Sequence, residues 1–266
     1  MGNVREYSAR HNKRPPRTPP APQKIRQLVV ESLADFDVNV ANEDGWKKSC
    51  SSSVPNTVVC SRPHATSRAH TFRAVASLQR CTARQVREAF QFDVRESWDS
   101  SMHNGAHLKE YGLGDDDGID VTIIAFASTP AAAGLISGRS FLNLDGQRRG
   151  VTPAADGGAD LEEFMSSSLA APADVLAAAR EAEAIEWQAL ADAEGLVRAT
   201  SLPGCGMRVR DRCLPGGERD VEVTIMATTE IGGMLPVSVV NNATPPAMVG
   251  LFKALQAFLD RIHGRS

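Results

Sequence analysis

This chain of 266 residues has no long apolar run: nowhere do eighteen apolar residues stand together, so no helical membrane span is expected. The nearest stretch, 119–136, is interrupted by Asp120, Thr122, Ser128, Thr129 and Pro130 and reads as a strand followed by a loop. An excess of positive charge is missing too. The 29 Lys and Arg against 32 Asp and Glu leave a net charge of −3, which argues against a general nucleic-acid binder. Cysteines at metal or redox spacing are lacking: Cys50, Cys60, Cys81, Cys205 and Cys213 are odd in number and form no Cys-x-x-Cys pair. No apolar signal-peptide core opens the chain, so reduced thiols in a cytosolic protein are expected. His103 and His107 are four apart, but Gly105 between them spoils a helical metal pair. The turn Gly114–Gly118 lacks the spacing and terminal glutamate of a calcium loop. No histidine has a nucleophile motif beside it. No metal, no cofactor and no catalytic triad are therefore expected, and the chain does not read as an enzyme.

What is present begins with a basic segment. Arg5, Arg10, Lys13, Arg14, Arg17, Lys24 and Arg26 stand among five prolines with a single acid, Glu6. Such a composition cannot bury enough surface to fold, so residues 1–22 are expected to be a disordered, solvated tail. The sharper alternative is a basic arm drawn to anionic lipid. Gly2 does not make a myristoylation site, because position 6 is Glu rather than Ser or Thr.

Beyond the tail, 42% hydrophobic residues support a sizeable core. A helix is expected from about Pro22 through Ile25, Leu28, Val29 and Leu33. Strands fit 46–51, 57–61 and 70–79, the last with Phe72, Ala74, Ala76 and Leu78 alternating with Arg73, Val75 and Ser77. Thr82 with Gln85 has capping-box spacing. Further strands fit 107–112, 120–127 and 139–144. Residues 146–182, rich in alanine, serine and acids, read as an insertion whose end, 172–182, is a solvent-facing helix. Strands are expected again at 184–190, 196–201, 206–212 and 218–229. Arg208, Arg210 and Arg212 alternate on one of them, giving either a solvated face or a headgroup-binding stripe. A long helix closes the chain, its apolar side formed by Val240, Thr244, Met248, Leu251, Leu255, Leu259 and Ile262. Pro236 suits its first turn, and Pro245 with Pro246 is expected to kink it. Helices flanking a run of antiparallel strands indicate an α+β fold.

Four segments, in order, carry a resemblance. They are Val86–Asp99, ending in Trp98-Asp99; Ala132–Leu142; Gly195-Leu-Val-Arg198; and the stretch from Glu230 through Leu235-Pro-Val-Ser-Val-Val-Asn241 into the final helix. Over roughly residues 45–262 the chain resembles the START family, the steroidogenic-acute-regulatory-protein-related lipid transfer domains. The resemblance implies one START-like domain over 23–266 with a helix-grip fold: a curved antiparallel sheet around the C-terminal helix, with a lipid tunnel between them. It implies a monomer that binds a single lipid, a sterol or a phospholipid or another amphipath. Such a protein would move its lipid between membranes by transient surface contact, working in the cytoplasm as a peripheral membrane protein. A lipid-sensing adaptor that presents a lid change to a partner is the alternative.

The strand 120–127 is apolar on both faces, so alternation alone does not choose the lining side; the resemblance selects Ile124 and Phe126. It adds Phe141, Ile225, and the helix residues Thr244, Met248, Leu251, Leu255 and Leu259. In sterol-carrying members a carboxylate and an arginine sit in the tunnel; the matching positions here are Phe126 and Asp145. Asp145 is thus a candidate for a hydroxyl or a cationic headgroup, against the plain alternative of a strand-end aspartate facing water. The loop Ser128–Gly138, with Pro130, Gly134, Leu135 and Gly138, is the implied gate.

Overall fold

The computed structural model of the chain describes residues 21–111, 118–130, 137–153, 160–173, 186–214 except 188, 190 and 193, then 218–232, 236–262 and 264. Residues 1–20 of the expected tail, most of the 114–118 turn, Gly134 and Leu135 of the gate, and nearly all of the expected helix 172–182 lie outside the described residues; Ala21 and Pro22 begin a helix rather than end the tail. Helix α1 (Ala21–Ala41) leads into β1 (Lys47–Ser53), β2 (Asn56–Pro63) and β3 (His70–Gln79). Two short helices, α2 (Ala83–Ala89) and α3 (Phe92–Arg95), precede β4 (Met102–Tyr111), β5 (Ile119–Ser128), β6 (Arg139–Thr152) and β7 (Leu161–Ala170). Then come β8 (Val197–Arg198), β9 (Thr200–Ser201), β10 (Gly206–Cys213), β11 (Arg219–Ala227), β12 (Thr229–Glu230) and α4 (Val237–Ile262). The main sheet runs β1-β2-β3-β11-β10-β7-β6-β5-β4, with β8 alongside β6, and β9 pairs with β12. Among the described residues no helix is long and apolar enough to cross a membrane.

Within the expected insertion 146–182, residues 146–152 and 161–170 are strands of this sheet. Residues 146–152 continue β6, and β7 pairs with it from Asn143↔Ala170 to Thr152↔Leu161 while pairing with β10 on its other side. A strand bearing Glu162, Glu163 and three consecutive serines has little intrinsic strand preference; two flanking ladders hold it in place. A second correction concerns 184–190, where Glu186 and Trp187 are helical rather than extended.

Helix α1 covers one face of β5–β7. Ile25, Val29, Leu33, Phe36 and Val40 recur at helical spacing and pack on Val121, Ile123, Leu144, Met165 and Leu169. Each such side chain contributes roughly 1.5–3 kcal/mol by leaving water. The approach is so close that a Cβ on Gly146 would overlap Cγ1 of Val29. Trp46 ties down the end of α1: its Nε1 donates to Asn42 O at 2.8 Å, and the guanidinium groups of Arg62 and Arg73 lie 4.4 and 4.8 Å from the ring centroid.

Helix α4 packs on the opposite face, mainly over β1–β3. Phe252, Leu255, Phe258 and Leu259 meet Phe72, Ala74, Leu78 and Val223, and α2 closes the cluster with Ala83, Val86 and Ala89. The Thr82–Gln85 capping box is formed as expected. Gln256, buried within this cluster, accepts from Gln79 N at 3.1 Å and donates to Gln79 O at 3.3 Å. The helix runs as one element through Pro245 and Pro246. Ile262, expected on its apolar side, is 52% exposed. The arginine stripe is held by acids of β11. Arg210 reaches Glu222 at 2.7 Å, and Arg212 reaches Asp220 at 2.6 Å and Glu222 at 2.8 Å, which disfavours the headgroup reading.

Candidate functional site

Strands β5, β6, β7, β10 and β11 present their other face, beside α4, to a cavity of about 640 Å³. Helices α2 and α3 form part of its wall through Arg87, Phe90, Phe92 and Arg95. Strand alternation decides who points in. On β6, Leu142 and Leu144 belong to the α1 side, and Phe141, Asn143, Asp145 and Gln147 line the cavity. On β5, Val121 and Ile123 face α1, while Ile124 and Phe126 line the cavity.

The lining is divided. One part is aromatic: Phe126 and Phe141 stack with centroids 4.5 Å apart, and Phe92 stands 6.1 Å from Phe126 and 5.0 Å from His107. The other part is polar, formed by Asn143, Asp145 and Gln147 of β6, Ser166 and Ser168 of β7, and Ser201. Asn143 donates from Nδ2 to Ser168 Oγ at 3.0 Å and to Ser201 Oγ at 3.1 Å, while its buried Oδ1 has no hydrogen-bond partner. Gln147 Nε2 donates to Asp145 Oδ2 at 3.0 Å, and Arg87 Nη2 lies 3.5 Å from Gln147 Oε1.

Asp145 is 7% exposed and sits in mid-strand, because β6 extends eight residues beyond the expected end at Leu144 to Thr152; it is not a strand-end residue facing water. Burial pushes its carboxyl up to about 7, and the hydrogen bond from Gln147 opposes that rise. Cys205 also lines the cavity, and burial pushes its thiol up to about 11, so it stays protonated and a poor nucleophile. At the rim, Arg95 pairs with Asp99 at 2.8 Å, Arg148 with Asp37 at 3.1 Å, and Arg149 with Glu162. Arg87 lies over the Phe164 ring at 5.1 Å from its centroid.

Of the residues expected at the site, Ile124, Phe126, Phe141, Asp145, Ile225 and Leu251 line the cavity together. Thr244, Met248, Leu255 and Leu259 do not. Thr244 donates to Val240 O at 2.9 Å, and the other three are packed in the closed core under α4. In the gate, Pro130 is exposed, while Gly138 is buried where a Cβ would stand 2.8 Å from Ser128 O. Beside it, Arg139 donates from Nε to Ile231 O at 2.5 Å and from Nη1 to Ser137 O at 2.6 Å, which anchors the loop's end to the segment before α4. Sequence reasoning missed Asn143 and Gln147, although stepping by two from Phe141 through Asp145 reaches both. It also missed Phe92, Phe164 and the serines of β7.

No protein-family profile matches the chain, and no curated relative matches it. Solved structures do. Human StAR-related lipid transfer protein 5 superposes with a TM-score of 0.66 at 18% identity, covering 91% of this chain and 99% of that one. Human STARD10 gives a TM-score of 0.53 at 17% identity over 87% of this chain and 82% of that one. A STAR-related lipid transfer protein fragment from Xanthomonas axonopodis gives 0.50 at 18% identity over 81% and 99%. With its curved antiparallel sheet, its closing C-terminal helix and the cavity between them, this chain has the fold of the StAR-related lipid transfer (START) domains.

Proposed function

We propose that this protein binds one amphipathic lipid in the β5–β7 cavity and carries it between membranes, as a monomer that touches the membrane surface in passing. The carrying observation is the cavity itself: about 640 Å³, the size of a small-molecule site, with stacked aromatics at one part and hydrogen-bonding groups at another. Solved structures of the same fold bear the name of lipid transfer proteins, which supports the reading. Burying the lipid's apolar part supplies the driving force, roughly 25 cal/mol per Å² removed from water. No covalent step is needed.

The test is native mass spectrometry of the purified protein after exposure to mixed-lipid vesicles, followed by transfer between donor and acceptor vesicles. A one-to-one lipid adduct and a transfer rate above background are expected. A bare protein mass, with circular dichroism showing the fold intact, overturns the proposal. An adduct without transfer shifts the reading to a lipid sensor.

A further inference from the structure

The cavity's polar wall specifies more than a generic lipid, and the inference drawn from it rests on the carrier reading above. We infer that the wall Asn143–Asp145 receives a neutral polar end carrying two or more hydrogen-bond donors, such as a diol, a polyol or a hydroxy-amide. A phosphate and a lone sterol hydroxyl are both poorer matches.

The first observation is Asn143. Its amide nitrogen meets the hydroxyls of Ser168 and Ser201, and Oδ1 is buried without a partner. A buried acceptor left unpaired is costly, so a site that keeps one gains by receiving a donor. The second is Asp145, two residues along the same strand and therefore on the same face. Its carboxyl accepts from Gln147 at Oδ2 and, ionised or protonated, keeps acceptor capacity for a further donor. Two acceptors one pleat repeat apart ask for two donors on one ligand end. Ser166, Ser168 and Ser201 around them can turn their hydroxyls to follow.

The charges argue against a phosphate. Arg95, Arg148 and Arg149 at the rim are each engaged by a carboxylate. Arg87 remains, but it lies over Phe164 and leans on Gln147, with the Asp145 carboxyl beyond. A phosphate against this wall would set its oxygens against those of Asn143 and Asp145. Burial favours the neutral carboxyl of Asp145, in keeping with a neutral ligand end.

The experiment offers the protein vesicles of phosphatidylcholine holding equal amounts of cholesterol, 1-monooleoylglycerol and the dimethyl ether of 1-monooleoylglycerol. Bound lipid is read by native mass spectrometry. The ether keeps the acyl chain and shape and removes both donors. Monooleoylglycerol is expected to exceed its ether by about tenfold or more, the scale of two hydrogen bonds to buried acceptors. In Asn143→Leu the ratio should fall to within a fewfold of one while the ether adduct persists. Asp145→Leu, which removes the other acceptor, serves if the first variant does not fold; there too the ratio should fall.

Equal capture of the two glycerides, or a dominant phosphatidylcholine or cholesterol adduct, overturns the assignment of the wall and leaves the carrier reading standing. Failure of folded protein to take any lipid overturns the carrier reading, and the inference with it.

Discussion

Asp145 and Gly146 are neighbours on β6 and belong to opposite worlds. Gly146 faces α1, where there is no room even for a methyl group. Asp145 faces a cavity of about 640 Å³. Helix α4 repeats the contrast one turn apart: Leu255 is fully buried in the closed core, and Leu251 stands at the cavity. The closed regions are made of aliphatic and aromatic side chains at helical or strand spacing, and they have collapsed on one another. The open region joins an aromatic part, Phe92, Phe126 and Phe141, to asparagine, aspartate, glutamine and serines, which gain nothing by collapsing.

The sharpest way to break the contrast is to place a charge on both sides of it. Leu255→Glu buries an unpaired carboxylate and should cost several kcal/mol, about 3–5 or more, which abolishes cooperative unfolding near ambient temperature. Leu251→Glu should leave the melting curve nearly intact and remove lipid capture. Equal loss of fold in the two variants would show that Leu251 is as closed in as Leu255.

A steric change comes next. Gly146→Val forces α1 away from β6 and should cost about 3 kcal/mol. That corresponds to a fall in Tm of roughly 6–12 °C, read by thermal circular dichroism. An unchanged Tm would mean that α1 is not seated on Gly146.

The smallest expected effect lies at Asp145 and depends on pH. Its carboxyl titrates at about 7 in the folded protein and near 3.8 in the ordinary state, so between these values the folded chain holds a proton that the unfolded chain has released. Stability in the absence of ligand therefore falls as pH rises through that window, and the penalty is complete above about 7. Asp145→Asn should remove that slope and raise stability at alkaline pH by roughly 1–3 kcal/mol. Arg87, Arg149 and His107 share the cavity lining and are unaltered by the substitution, so the comparison of the two proteins isolates the carboxyl. Parallel pH profiles would place the Asp145 carboxyl in water.

Much of the closed structure could be read from residue spacing. Ile25, Val29 and Leu33 announce α1; Phe72 to Leu78 announce β3 with both of its ends; Thr82 and Gln85 announce the start of α2. Periodicity is legible where apolar residues meet a continuous partner. It fails at β7, where Ser166, Ser167 and Ser168 erase the apolar pattern and the strand exists because β6 and β10 supply ladders on either side. The cavity was half legible for a related reason. Resemblance supplied the apolar positions Ile124, Phe126, Phe141 and Ile225, but it extended them down α4 to Met248, Leu255 and Leu259, which pack with β3, β11 and α2 in the closed core. The polar wall escaped because Asn143 and Gln147 look like ordinary outward-facing strand residues until the neighbouring face is known to be packed against α1.

The two prolines inside α4 leave one more consequence. Proline nitrogens at 245 and 246 carry no hydrogen, so the carbonyls of Asn241 and Asn242 lose their usual donors four residues on. The buried positions of this helix, Pro245 to Leu259, all lie at or beyond that gap, and none lies in Val237–Thr244. One helix by geometry is therefore two by exchange kinetics. Deuterium should enter the amides of 237–244 at rates close to those of an exposed helix, while those of Phe252, Leu255 and Leu259 wait for the whole domain to open.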